Sequence, residues 1–141
     1  MRRTASLLFI ALLACVLVHA QGKQSKARRA PDNITGHYVL RYSNVRSSLN
    51  VQSLPNSRIK FSLVALLETG GGSPRNGVVE ATLALKNGTA VYEDGECRIS
   101  MKFVGNKVIV QESNIEDCGF GAFVTAQGTY IRKSRKPVFD S

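Results

Sequence analysis

Apolar and polar residues alternate with a period of two along most of the chain after residue 35. Between residues 58 and 68 every second side chain is apolar, and the same holds between residues 96 and 104. Because successive side chains of a β-strand point to opposite faces, this period predicts strands with one buried and one solvated face. No stretch has a helical period of useful length, so the pattern predicts an all-β domain.

Short turn signals separate these segments. Asn87-Gly88, Asp94-Gly95 and Gly105-Asn106 are pairs typical of two-residue hairpin turns, in which the central residues adopt positive φ. We therefore predict about eight short antiparallel strands, near residues 36–43, 47–54, 58–68, 78–86, 89–93, 96–104, 107–112 and 128–133.

Eight short strands joined by tight turns favour an up-and-down barrel, because closure removes the exposed strand edges that invite aggregation. A sandwich of two sheets is the alternative architecture for the same strands. The inward residues, which include Leu63, Leu85, Ile99 and Phe103, are large enough to fill a small barrel.

The first 20 residues have the pattern of a secretory signal peptide. Arg2 and Arg3 precede an uncharged apolar run over residues 7–17, and Val18-His19-Ala20 resembles a signal-peptidase site. The run is shorter than the roughly 20 apolar residues of a transmembrane helix. An alternative is a lipoprotein signal, because Leu12-Leu13-Ala14 precedes Cys15. We predict an exported protein, periplasmic or secreted, that contacts a membrane only if Cys15 is lipidated.

The mature chain is expected to divide into a flexible basic arm (21–32), a β-barrel domain (33–133) and a flexible tail (134–141). The whole chain has 19 Lys and Arg and 10 Asp and Glu. Between residues 33 and 131, however, the numbers are almost equal, with nine basic and eight acidic residues. The excess charge therefore belongs to the arm and the tail, which we interpret as solvated ends. Contact of these ends with an anionic envelope surface or polymer is the alternative, whereas export disfavours a nucleic-acid partner.

Removal of the leader leaves two cysteines, Cys97 and Cys118, in a compartment that permits disulfides. We predict that they pair, which would stabilise the domain by about 3 kcal/mol through closure of a loop of roughly 20 residues. No Cys-x-x-Cys motif occurs, so the sequence offers no zinc or thioredoxin-like site.

The mature chain offers little for catalysis. His37 is its one histidine and lies on the expected outward face of the first strand, and no Gly-x-Ser-x-Gly motif occurs. Glu93 and Glu96 flank a hairpin turn, and a hydrolase or a calcium site would need such carboxylates to converge in a cleft. We expect a non-enzyme without a cofactor or a bound metal ion.

The most distinctive segment follows Cys118 and contains Gly119, Phe120, Gly121 and Phe123. It could present both aromatic rings to a partner from a loop that the disulfide holds. Alternatively the glycines let the loop cross the barrel end while Phe123 fills the core, and the residue pattern favours this second role.

Three further motifs carry a family resemblance: Ala90-Val91-Tyr92, Gly105-Asn106 and Gly128-Thr129-Tyr130. With the segment 117–127 they resemble small exported bacterial β-domains, mostly uncharacterised, some of which follow the helical domain of LprI-type lysozyme inhibitors. This resemblance implies an exported β-domain and suggests a lysozyme-type hydrolase as a partner. The chain departs from that pattern because it has no Cys-rich helical domain.

A second likeness is to calycins. Gly36-His37-Tyr38 opens the first strand where lipocalins carry Gly-x-Trp, and Arg132 lies on the last strand. The likeness implies a stack of Arg132 on Tyr38 that closes one end of the barrel, with tyrosine in place of the family's tryptophan.

These observations predict an exported, monomeric, non-catalytic binding module. Its partner would be a protein or an envelope polymer, recognised through loops at one end of the barrel. The alternative function is that of a small carrier for an apolar ligand.

Overall fold

The computed structural model describes residues 34–113 and 118–139. The predicted signal peptide with Cys15 and the basic arm lie outside the described residues. The strands are β1 (Gly36–Tyr42), β2 (Val45–Leu54), β3 (Arg58–Leu67), β4 (Arg75–Lys86), β5 (Thr89–Asp94), β6 (Cys97–Val104), β7 (Lys107–Glu112) and β8 (Gly128–Ser134).

Each strand pairs with its neighbours in chain order, and β1 also pairs antiparallel with β8, so the sheet closes into an up-and-down barrel. The predicted all-β barrel is confirmed and the two-sheet sandwich is wrong. Among residues 34–113 and 118–139, no helix has the length and apolar character needed to cross a bilayer.

Two strands begin earlier than their sequence patterns predict: β2 begins at Val45 instead of residue 47, and β4 shows the larger difference. The alternation placed the start of β4 near residue 78, yet the strand begins at Arg75. Leu67 at the end of β3 pairs with Arg75, so the long partner strand extends the ladder past the last alternating residue. Cross-strand pairing therefore overrides the local pattern at this end.

The interior is filled with apolar side chains, to which all eight strands and the β7–β8 connection contribute. The largest fully buried ones are Tyr38, Tyr130, Phe61, Phe120, Leu49, Ile59, Leu63, Ile99, Met101, Val51, Val108 and Val110. Both buried phenols have partners, because the Tyr38 hydroxyl donates to the Ile34 carbonyl (2.7 Å) and the Tyr130 hydroxyl to the Ala126 carbonyl (2.8 Å). The two tyrosines thus satisfy their polar atoms at the edges of the core.

The barrel has two ends that differ in construction. The loop end carries the turn at residues 43–44, the loop 68–74, the turn at residues 95–96 and the long β7–β8 connection. The turn end carries the turns at residues 55–57, 87–88 and 105–106, the start of β1 and the segment after β8. Asn87 and Gly88 both have positive φ (50° and 75°), as the predicted hairpin turn requires.

The wall of the barrel opens between two neighbouring strands. β4 and β5 pair only through Leu85 with Ala90 and Lys86 with Thr89, next to their connecting turn. From there towards the loop end the two strands diverge. At this opening Phe120 of the β7–β8 connection packs against Gly77 of β4.

The segment after β8 lies against the outer face of the sheet. The Val138 backbone N–H donates to Asn50 Oδ1 (2.9 Å), and the Lys60 ammonium lies 4.7 Å from the centre of the Phe139 ring. His37 Nδ1 is also 2.8 Å from Asn50 Oδ1. Asn50 lies between the inward residues Leu49 and Val51 of β2 and therefore points outwards, but these contacts leave it only 6% exposed. The predicted flexible tail thus includes described residues that contact β2 and β3.

Candidate binding loop at the loop end

A disulfide fixes the β7–β8 connection to the barrel. Cys97 begins β6 at the loop end, and its sulfur is bonded to that of Cys118, with 4.6 Å between the Cα atoms. The predicted disulfide is therefore present. It places residues 118–126, which we call the mouth loop, across the loop end.

Phe120 is the inner anchor of the mouth loop. Its side chain is completely buried, and it packs on β4 at Gly77, where the wall opens. A Cβ atom at Gly77 would lie 2.4 Å from the Phe120 Cα and 2.7 Å from its Cδ1. Since such distances are far below van der Waals contact, the close approach of loop and strand requires glycine at this position.

Phe123 points the other way. Its side chain is 78% exposed, and its backbone adopts a left-handed conformation (φ 67°) that is unfavourable for a bulky residue. The expectation that Phe123 fills the core is wrong, because Phe120 occupies that place. The Val124 N–H donates to the Gly121 carbonyl (3.1 Å), so the chain reverses through Ala122 and Phe123 and turns the ring outwards.

Arg75 supports the exposed tip of the loop. Its Nη1 donates to the Ala122 carbonyl (3.1 Å), and its guanidinium carbon lies 5.9 Å from the centre of the Phe123 ring. The hydrogen bond and the cation–π contact hold the tip of the loop over the start of β4.

Glu112 holds the returning part of the loop. It ends β7 at an inward position and is buried, and its Oε2 accepts hydrogen bonds from Thr125 Oγ1 (2.7 Å) and the Ala126 N–H (3.0 Å). Its Oε1 is buried and has no partner among the described residues. Sequence reasoning missed Glu112, although a carboxylate following Val108 and Val110 on the inward face was a usable signal.

Tyr130 lies in the core, where its hydroxyl contacts the mouth loop. Burial raises the pKa of the Tyr130 phenol well above its usual value near 10, with the nearby Glu112 carboxylate acting in the same direction. The phenol therefore remains a neutral donor to the Ala126 carbonyl, which belongs to the loop.

Tyr38 and Arg132, the other pair that the sequence singled out, lie at the turn end. The Arg132 guanidinium carbon is 5.7 Å from the centre of the Tyr38 ring, and the two residues are register partners in β8 and β1. Burial raises the Tyr38 pKa, and the positive charge of Arg132 opposes this rise. This stack lies at the turn end, so the barrel separates it from the mouth loop and the two do not form one site.

The outer wall carries an open cleft of about 520 Å³ beside the mouth loop, between β6, β7 and the start of β8. Its lining includes Arg98, Ser100, Gln111, Gln127 and Thr129. Within the described part of the chain, no three His, Cys, Asp or Glu residues converge as a metal site would need.

The acidic residues of the β5–β6 hairpin do not form a cleft. Glu93 is exposed and forms an ion pair with Arg98, its register partner across the hairpin. Glu96 lies in the turn itself and is exposed. Both carboxylates are solvated, which does not suit a tuned acid–base pair.

Fold and site define the class of protein: a disulfide-bonded, eight-stranded up-and-down β-barrel with a structured loop across one end. Comparison of the chain with protein-family models, with curated proteins and with solved structures found no match. Its function is therefore inferred from the barrel and its loop.

Proposed function

We propose that this protein is an exported, non-catalytic binding module that recognises a protein partner through the mouth loop. The observation that carries the proposal is Phe123, a large aromatic side chain held 78% exposed at the tip of a fixed loop. Buried aromatic anchors provide much of the binding energy of protein interfaces. A ring that is already presented to solvent gains that burial only when a partner covers it.

The loop is organised before any partner arrives. The disulfide fixes its beginning, Phe120 packs on Gly77 in its middle, and Glu112 holds its return. A loop with a fixed conformation loses little conformational entropy on binding, so most of the burial energy of the ring contributes to affinity. The left-handed backbone at Phe123 costs on the order of 1 kcal/mol, which these contacts offset.

The filled interior favours this function over that of a ligand carrier. Phe61, Leu63, Ile99 and Met101 have no solvent exposure, and they occupy the space that a carried molecule would need. A carrier of eight strands has to leave part of its interior empty. No observation in the described residues favours the carrier.

The test compares two single substitutions of exposed apolar residues at opposite ends. Phe123→Ala removes the proposed anchor, and Val104→Ala removes a 49% exposed valine at the turn end. Because both side chains are exposed, neither change should alter the free energy of unfolding by more than about 0.5 kcal/mol. We expect the exported protein to retain a partner from a lipid-free extract of envelope proteins, and Phe123→Ala to weaken that complex about 30-fold while Val104→Ala leaves it unchanged.

The resemblance suggests lysozyme-type hydrolases as the first partners to assay. Wild-type protein is added to several lysozymes acting on peptidoglycan, with Phe123→Ala as the matched control. If all of these lysozymes hydrolyse peptidoglycan at an unchanged rate, a lysozyme-type hydrolase is excluded as the partner. A complex that forms equally well with wild-type protein and with Phe123→Ala contradicts the mouth loop as the recognition site.

A further inference from the structure

The charged side chains of the barrel are unevenly distributed along its axis: the loop end carries both signs, whereas the turn end carries basic side chains. Among the described residues, five acidic side chains lie at the loop end and one lies at the middle of β4. They are Glu68, Glu93, Asp94, Glu96 and Glu112 at the loop end and Glu80 in β4. In the described part of the chain the turn end has no acidic side chain. The near-even balance of the barrel sequence therefore hides a strong asymmetry in space.

Basic side chains of five strands form a partial ring around the turn end, to which β1, β2 and β5 contribute none. Arg58 and Lys60 lie at the start of β3, Lys86 ends β4, and Lys102 lies in the half of β6 nearest this end. All four are exposed. They cover one side of the circumference.

β7, β8 and the segment after β8 supply the remaining basic residues of this partial ring. Lys107 begins β7, Arg132 and Lys133 lie near the end of β8, and Arg135 and Lys136 follow that strand. Except for the partly buried Arg132, these residues are exposed. The chain before residue 34, which joins the barrel at the same end, carries four more basic residues between residues 23 and 29.

The ion pairs of the described residues do not relieve this charge. Arg46 pairs with Glu68 and Arg98 pairs with Glu93, and both pairs lie at the loop end. The eight exposed basic side chains of the turn end therefore form a field of one sign. A field of one sign attracts an anionic partner and orients the molecule as it approaches.

The shape of the partial ring and its apolar neighbours indicate which partner. Basic residues from five strands lie around the end of the barrel, which matches a plane better than the single stripe that a linear polymer would follow. Val104 (49% exposed) adds an apolar side chain at this end, and Val138 (61% exposed) adds one on the adjoining outer wall beside Asn50. Basic residues mixed with exposed apolar ones suit the headgroup region of an anionic bilayer.

We propose that the turn end docks on an anionic lipid surface and leaves the mouth loop, with Phe123, facing away from it. The contact needs no lipid on Cys15, which departs from the expectation drawn from the sequence. It does not depend on the mouth-loop function, because it uses the opposite end of the barrel.

The first test neutralises three lysines for which the described residues provide no ion pair: Lys86→Gln, Lys102→Gln and Lys107→Gln in one chain. The full chain is expressed with its leader and purified after processing, with its N-terminus read by mass spectrometry. Binding is measured by cosedimentation with vesicles of phosphatidylcholine mixed with phosphatidylglycerol, and with pure phosphatidylcholine. Each lysine near an anionic surface contributes about a factor of five, so the triple variant should bind about a hundredfold more weakly.

A matched control makes the same change in net charge at the loop end. Asn76→Asp, Gln111→Glu and Gln127→Glu add three negative charges at exposed positions without a change in side-chain shape. This variant should bind the mixed vesicles within a few-fold of wild type, because its added charges lie far from the bilayer. Equal losses in both triple variants would overturn the proposal, since net charge alone would then explain binding.

The orientation is tested with a single fluorophore. The chain contains no tryptophan, so Val104→Trp and Phe123→Trp each introduce a unique reporter, one at each end. We expect a blue shift of the emission on mixed vesicles for Val104→Trp and none for Phe123→Trp. A blue shift at Phe123→Trp only would show that the loop end inserts, which overturns the proposal.

A soluble polyanion distinguishes the lipid surface from a polymer. The wild-type protein is titrated with a sulfated polysaccharide, and the same sample is offered mixed vesicles. Binding to the polysaccharide without binding to vesicles overturns the assignment of the turn end to a lipid surface.

Discussion

The close approach of the mouth loop to β4 makes Gly77→Ala the sharpest structural test. The added Cβ would lie 2.4 Å from the Phe120 Cα, whereas carbon atoms in contact are about 3.5–4.0 Å apart. A side chain could rotate away, but a backbone atom cannot. The loop must therefore shift by about an ångström, or Phe120 must leave its site.

Both responses should lower the free energy of unfolding by a similar amount. Overpacking that displaces backbone typically costs about 1–3 kcal/mol. Exposure of a buried phenylalanine costs about 1.5–3 kcal/mol. We expect Gly77→Ala to lower the free energy of unfolding by about 2 kcal/mol, which corresponds to a fall in Tm of roughly 10 °C for a domain of this size.

The measurement is urea unfolding followed by far-ultraviolet circular dichroism, since the chain has no tryptophan. Gly70→Ala is the matched control, because a Cβ at Gly70 has no atom within 4 Å and this residue does not adopt positive φ. We expect the control to unfold within about 0.5 kcal/mol of wild type. A Gly77→Ala protein as stable as this control, with an unchanged m-value, would refute the packing of Phe120 on Gly77.

Three further predictions address the disulfide, the core and the segment after β8. Joint replacement of Cys97 and Cys118 by serine should lower the free energy of unfolding by about 3 kcal/mol, and reductant should lower the urea midpoint of the wild type similarly. Burial raises the Tyr130 pKa, so the folded state retains a proton that the unfolded chain releases. The stability that the Tyr130 phenol contributes is fully present below about pH 10. Above that pH the free energy of unfolding falls by about 1.4 kcal/mol per pH unit because of this group, and Tyr130→Phe should abolish this fall. Asn50→Ala should free the Val138 N–H, cost about 1 kcal/mol and speed carboxypeptidase trimming, whereas Asn50→Asp, which retains the acceptor, should not.

The strands were predictable because their signal is local. Period-two alternation and turn pairs such as Asn87-Gly88 are readable from neighbouring residues, and they placed all eight strands to within three residues at their starts. The β5–β6 turn lies one residue later than predicted, at Gly95-Glu96, because Asp94 pairs with Cys97. The pairing between β5 and β6 therefore determined where this turn lies.

The mouth loop was only partly predictable. The two cysteines identified its attachment, but Phe120 and Phe123 lie on either side of Gly121-Ala122 and have equal apolar character. Which ring enters the core depends on Gly77, a residue of a distant strand that leaves room for Phe120. That choice is a property of packing, so no local pattern contains it.

The sequence by itself determined the all-β class, the strands, the disulfide partners and the excess of positive charge, because each depends on residue identity and spacing along the chain. Tertiary structure alone decided that Asn50, on the outer face of the barrel, is covered by other residues and that Phe123 faces solvent. It also decided that nine basic residues meet at the turn end, where the described residues include no acidic side chain. The reason is that an up-and-down barrel brings together strand ends that lie far apart in the chain, so a charge excess at one end arises only on folding.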